Sequence, residues 1–140
     1  MCEQLHNAAV DVIVTAHNME SCIGACLDSL ERQTFESLRV VVVEDGSTDG
    51  TAAIAQDFAA RHARFSVIST GGLGAGGARN RGMQEVRAPY FMILDGDDVF
   101  HPDMVESLYR AAIDGNADIV ICDMQEMDDA TGALAHPLWA

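Results

Sequence analysis

Short apolar runs alternate with stretches of helical spacing along this chain, and that alternation limits its fold more than any other feature. Val10 to Ala16 (VDVIVTA), Leu38 to Glu44 (LRVVVVE), Phe65 to Ser69, Tyr90 to Leu94 and Asp118 to Cys122 (DIVIC) are rich in β-branched or aromatic residues, as strands are. Between them apolar residues recur at helical steps. Met19 to Gln33 carries Ile23, Cys26, Leu27 and Leu30 behind Asn18 as N-cap. Thr51 to His62 carries Ile54 and Phe58, and Gly76 to Val86 follows a loop with five glycines in the eight residues Thr70 to Gly77. A further helix opens at His101-Pro102-Asp103, carries Met104, Val105, Leu108 and Ala112, and ends at Gly115-Asn116. Strand and helix alternate four times. This predicts an α/β fold: a Rossmann-like, doubly wound, mostly parallel sheet with right-handed crossovers and helices on both faces. After Asp123 the pattern fades to a turn, Asp128 to Gly132, between two weak strands, and the chain closes on the apolar Leu138 and Trp139.

A chain of 140 residues is one domain with room for a core. Its net charge is −14, and all eight basic residues are Arg. Such a chain does not present the broad positive surface that nucleic acid needs. An anionic ligand would need local help from a metal, an Arg or a helix N-terminus. Cys2, Cys22, Cys26 and Cys122 contain no C-x-x-C pair, which fits small buried hydrophobes in a reducing compartment. His17, His62 and His101 lack metal-ligand spacing, His6 and His136 lie in weak terminal regions, and His62 suits a helix C-terminus. No basic segment leads into an apolar core at the N-terminus, and no apolar run reaches the roughly 18 residues of a membrane span. The expected location is cytoplasmic, with peripheral membrane attachment left open. Self-association is expected through an exposed sheet edge and the apolar C-terminal end.

Tyr90-Phe91-Met92-Ile93-Leu94-Asp95-Gly96-Asp97-Asp98 runs from five apolar residues into three carboxylates. The apolar part reads as a strand buried on both faces. The acids then stand at its C-terminal end, where α/β sheets bind ligands, and crowding of this kind suits a hard divalent cation. In a doubly wound sheet Thr15-Ala16, Asp45 and the glycine-rich loop face the same edge. Asp45 can accept from a base N–H or a ribose hydroxyl. The backbone of Thr15-Ala16 can bond a base edge, the loop N–H groups can approach phosphate, and Arg79 can reach a diphosphate. Plainer readings stand beside these: Asp45-Gly46 as a turn, and Arg79 paired with Glu85 or another surface acid. Arg81 faces another side of its helix. Gly72 to Gly77 fits G-x-G-x-x-G, a weak match because the fingerprint belongs after the first strand. Asp123, closing the fifth strand, is a further cleft candidate.

Four segments in order resemble the family-two glycosyltransferases, with their GT-A type fold: Val12 to Glu20, Val43 to Thr51, Gly74 to Gly82, and Leu94 to Asp98. Gln33-Thr34 also fits that family's pattern at the end of the first helix. The resemblance covers about residues 10 to 125. It implies an inverting, metal-dependent transfer of a sugar from a nucleotide donor, commonly a UDP-sugar, to a hydroxyl of a glycan or lipid-linked acceptor. Thr15, Ala16 and Asp45 would hold the base, and Asn18 and Glu20 would shape that wall. Arg79 would contact base or diphosphate. Asp95-Gly96-Asp97 would be the D-x-D, with Asp97 on Mn2+ or Mg2+, Asp95 on ribose or metal-bound water, and Asp98 capping the Pro102 region.

Three departures qualify the likeness. His17 stands where an aromatic is frequent. Gly72 stands where many relatives have Asn. The family's catalytic domain also continues well past this length, so the acceptor site and catalytic base are expected beyond residue 140, and the chain is expected to be a donor-binding fragment. Two other functions stay in view: a sugar nucleotidyltransferase, which would want a basic glycine loop after the first strand, and a non-catalytic nucleotide-sugar-binding module. A receiver-like signalling domain needs a Lys that this chain lacks.

Overall fold

The computed structural model describes residues 7–135. The elements are β1 (Val10–Ala16), α1 (Ile23–Glu31), β2 (Leu38–Asp45), α2 (Thr51–Arg61), β3 (Phe65–Thr70), α3 (Gly74–Met83), β4 (Tyr90–Asp95) and α4 (Met104–Asp114). They fall into two compact units, one ending at Glu106 and the other beginning at Ser107.

The first unit holds a parallel sheet of order β3-β2-β1-β4. The chain winds outward from β1 to β3, then returns to the other side of β1 to lay down β4. The winding therefore reverses between β1 and β4, which is where open α/β sheets form their crevice. Register brings the expected site residues side by side: Thr15 lies opposite Asp95, Ala16 opposite Glu44, and Asp45 opposite Thr70.

The two central strands have every residue buried except Arg39, which is half-buried. Strand alternation splits their side chains between two faces. On one face Ile13, Val41 and Val43 pack with Ala78 of α3, and Ile68 and Val86 close around them. Right-handed crossovers carry α1 and α2 to the other face, where they lie side by side. Full burial of each such side chain is worth about 1.5–3 kcal/mol. An acid sits in this apolar setting: Asp11 of β1 is fully buried. Its carboxylate accepts from Arg39 Nε at 2.8 Å and Nη2 at 2.7 Å, and from the amides of Arg87 at 2.7 Å and Ala88 at 3.0 Å. The same guanidinium donates to the Glu85 carbonyl at 2.6 Å. The segment before β4 is thereby tied to β1 and β2 at the end of the sheet away from the acidic triad.

Several sequence expectations need correction. Asn18 is not an N-cap: its φ is +50°, and α1 starts at Ile23 behind Cys22. Tyr90 to Leu94 is not buried on both faces, because among the described residues β4 pairs only with β1, at the sheet edge, and Phe91 and Ile93 are 45% and 42% exposed. Asp118 to Cys122 is not a strand. Ile119 and Ile121 are 80% and 87% exposed there. β-Branched residues favour a strand only where a ladder partner exists, and no strand pairs with this stretch among the described residues. Asp123 therefore closes no strand, and Cys122 is exposed rather than buried; Cys26 is buried and Cys22 half-buried, and all three are free thiols.

In the second unit Gly115 and left-handed Asn116 (φ +46°) end α4. One antiparallel bridge, Met127 to Leu134, closes the expected turn, in which Asp128 Oδ1 accepts from the amides of Ala130 and Thr131. Cys2, His6, His136, Leu138 and Trp139 lie outside the described residues. Among those described, no helix is long and apolar enough to cross a membrane.

Candidate functional site

A cavity of about 530 Å3 opens at the reversal point between β1 and β4. Thr15, Ala16, His17, Asp45, Arg79, Asp95 and Asp97 are among its lining residues, with glycines of the loop before α3. Five of the expected donor residues thus meet in one cavity. Asn18, Glu20 and Gly96 do not line it.

Asn18 and Glu20 instead tie the loop after β1 to the loop after β2. Asn18 Oδ1 accepts from the Thr48 amide at 2.8 Å, and Glu20 Oε2 accepts from the Gly50 amide at 3.2 Å. The Glu20 amide in turn donates to Asp49 Oδ2 at 3.1 Å. Gly96 is a packing position. Its amide donates to the Thr15 carbonyl at 2.9 Å. A Cβ there would stand 2.9 Å from Met19 Sδ and 3.0 Å from both Ile23 Cδ1 and that carbonyl. The turn between the acids crosses β1 so closely that no larger residue fits without a shift. One of the two lone pairs of the Thr15 carbonyl is thereby taken by the Gly96 amide.

Asp45 is 4% exposed, and its carboxylate organises the glycine-rich loop. Oδ1 accepts from the Thr70 hydroxyl and from the amides of Gly72 at 3.1 Å and Leu73 at 2.6 Å; Oδ2 accepts from the Gly74 amide at 2.8 Å. Left-handed Gly72 (φ +90°) and Gly74 (φ +78°) turn successive N–H groups toward one point, forming a backbone anion nest. The Thr70 hydroxyl and the Leu73 amide lead the effects that hold the Asp45 carboxyl below its ordinary value, against the opposing effect of burial. This corrects the phosphate reading of the loop, since these amides already serve an internal carboxylate. It also explains why α3 begins at Gly74 rather than Gly76: the Asp45 carboxylate supplies the missing N-terminal cap. What Asp45 can still offer a ligand lies mainly on Oδ2.

His17 lines the cavity and was not singled out as a site residue, although its place directly after Thr15-Ala16 was the available signal. Its Nδ1 lies 2.7 Å from the Asp45 carbonyl oxygen, and Asn18 Nδ2 lies 3.3 Å from its Nε2. A carbonyl only accepts, so Nδ1 carries the proton and Nε2 accepts from Asn18. The ring is thereby fixed as a flat wall of the cavity.

At the other wall, Arg79 Nη2 lies between the two oxygens of Asp95, at 3.0 and 3.1 Å, and the Thr15 hydroxyl donates to Asp95 Oδ1 at 3.2 Å. Arg79 is thus paired with an acid, but with a site acid rather than Glu85, which takes Arg81 at 2.8 Å. Carboxylate oxygens of Asp95, Asp97 and Asp98 lie within 4.8 Å of one another. Asp98 belongs to this cluster, a correction to its expected capping role. Burial first, then the charges of Asp97 and Asp95, raise its carboxyl above the ordinary value. A divalent cation would relieve that crowding, and an all-carboxylate donor set suits Mg2+ or Mn2+.

The segment after the triad is clamped by Gln33, which is 6% exposed. Its Nε2 donates to the carbonyls of Ser29 at 3.0 Å and His101 at 2.8 Å, and its Oε1 accepts from the Val105 amide at 3.0 Å. The Thr34 amide donates a further hydrogen bond to the Pro102 carbonyl at 2.9 Å. A polar Gln-Thr pair closing an apolar helix was the sequence signal for this clamp.

A family model described as "Glycosyl transferase family 2" matches residues 11–139. The putative glycosyltransferase EpsH of Bacillus subtilis (strain 168) is 35% identical over 128 residues, covering 91% of this chain and 37% of the relative. The uncharacterized glycosyltransferase EpsJ of the same organism is 39% identical over 113 residues, covering 81% and 33%. The chain therefore spans about a third of the length of each of these two relatives. Among solved structures, S. aureus TarS 1–349 in complex with UDP-GlcNAc superposes with a TM-score of 0.78 at 26% identity, covering 89% of this chain and 36% of that one. The mannosyltransferase PcManGT of Pyrobaculum calidifontis, in complex with GDP-Man and Mn2+, gives 0.66 at 26% identity, covering 76% and 32%.

Proposed function

Because this chain belongs to glycosyl transferase family 2, we propose that it forms the donor-binding part of an inverting, metal-dependent glycosyltransferase, with a UDP-sugar as donor and a glycan or lipid-linked hydroxyl as acceptor. One observation carries the reading: Thr15, Asp45 and the pair Asp95 and Asp97, from the ends of β1, β2 and β4, line one cavity with Arg79 of α3 where the sheet reverses its winding, and Asp98 stands beside Asp97. The nucleotide and metal complexes of the structural neighbours support it.

In this proposal the base lies between the His17 ring and the Asp45 Oδ2 side of the glycine loop. Arg79 faces the diphosphate. Asp97 leads the residues that would hold Mn2+ or Mg2+, with Asp98 in the same cluster, and Asp95 faces Arg79 and the ribose side. The bound cation supplies positive charge that offsets the charge building on the departing nucleoside diphosphate. The protein's part is to hold donor and cation in register: Gly96 packs against the Thr15 carbonyl and Gln33 clamps the segment behind the triad. The acceptor site and the base that deprotonates the acceptor hydroxyl belong, in this proposal, to the portion of the relatives that this chain does not span.

Calorimetric titration with UDP tests the reading. Affinity with Mn2+ should exceed that in chelator by at least about tenfold, or 1.4 kcal/mol. Absence of UDP binding under both conditions would overturn it.

A further inference from the structure

Building on the donor-site reading, the geometry points to Asp95 as the residue that positions Arg79 for the diphosphate, leaving the cation to Asp97 and Asp98. Arg79 Nη2 faces both Asp95 oxygens at 3.0 and 3.1 Å, and the Thr15 hydroxyl takes Oδ1 as well. A nitrogen centred between two carboxylate oxygens occupies the edge that a chelated cation would use. Asp97 and Asp98 are exposed, and their carboxylates take no hydrogen bond from the described residues. Metal-binding capacity is thus unevenly distributed across the triad.

The arrangement on Arg79 is complementary. Only Nη2 is spent on Asp95, whereas Nε–H and Nη1–H have no partner among the described residues. The side chain is 41% exposed, and among the described residues Arg79 is the one Arg lining the cavity. An unanchored Arg would lose considerable rotamer freedom on gripping a diphosphate. Asp95 meets part of that cost beforehand.

A double-mutant cycle on the 140-residue chain separates this role from metal ligation. UDP is titrated in chelator against the unaltered chain, Arg79→Met, Asp95→Asn and the double variant, and Mn2+ alone is titrated by electron paramagnetic resonance. Arg79→Met should weaken metal-free UDP binding about tenfold, Asp95→Asn by several-fold, and the double variant no further than Arg79→Met alone. Asp95→Asn should leave Mn2+ affinity within about threefold of the unaltered chain, whereas Asp97→Ala should lose at least about tenfold. Asp95→Glu keeps the charge but displaces it by one methylene; it repeats the test with the same expected pattern should Asn at 95 not fold. Loss of Mn2+ binding in the Asp95 variants equal to that of Asp97→Ala, or unchanged metal-free UDP affinity in them, would overturn this inference alone. Absence of UDP binding by the unaltered chain would overturn the donor-site reading as well.

Discussion

Replacing Asp11 with Ala should lower the unfolding free energy by about 3–5 kcal/mol, read as a fall in the midpoint of urea denaturation. The side chain is fully buried in β1, and its loss leaves Arg39 facing an apolar sheet with the Arg87 and Ala88 amides unanswered. Such a change removes one partner of a buried pair and strands the other, which costs more than the pair itself contributes. The exposed Arg61–Asp57 pair on α2, at 59% and 69% side-chain exposure, is the useful contrast: Asp57→Ala should cost less than about 1 kcal/mol. The pH dependence has a definite sign. Burial pushes the Asp11 carboxyl up, but Arg39 and the two amides outweigh it, so the net shift is downward. A lowered carboxyl stabilises the fold fully above its unfolded value and loses that contribution as pH falls through the folded value. The gap between the unaltered chain and Asp11→Ala should therefore narrow in acid, below the ordinary carboxylate value of about 3.9.

Asp97→Ala should remove the Mn2+ contribution to UDP affinity, at least about tenfold, while leaving affinity in chelator unchanged. Its side chain is exposed and crowded by two other acids, so thermal stability should hold or rise slightly as like-charge repulsion falls. Asp98→Ala should also weaken Mn2+ binding, because its carboxylate stands in the same cluster. A residue that merely capped the Pro102 region would instead affect stability and leave metal binding alone.

The parts of the fold legible in the sequence were those fixed by local composition. The valine-rich β1 and β2 announce buried strands, and once helices alternate with them the strand ends must share an edge. The shared edge brings together Thr15, Asp45, Arg79, Asp95 and Asp97, which line one cavity. What escaped depended on partners distant in sequence. DIVIC has strand composition but no ladder partner, and Tyr90 to Leu94 is as apolar as a central strand yet lies at the edge. The glycine loop looked like a phosphate cradle because its N–H groups cluster. Which anion they face is decided by the depth of Asp45, and the loop's spacing does not encode that. Asn18 has the composition of a cap but adopts φ +50° to reach the Thr48 loop. Asp98 looked like a turn residue until its carboxylate was placed beside Asp95 and Asp97.

The most direct measurement of the central claim, that these strand ends form one nucleotide and cation site, is an amide spectrum of the 15N-labelled chain during titration. UDP in chelator should shift the amides of Thr15, Ala16, His17 and Gly72 to Ala75, and substoichiometric Mn2+ added with UDP should broaden Asp95 to Asp98 first. Shifts confined to other regions, or Mn2+ broadening centred on surface acids such as Asp28 and Asp57 rather than the triad, would contradict it.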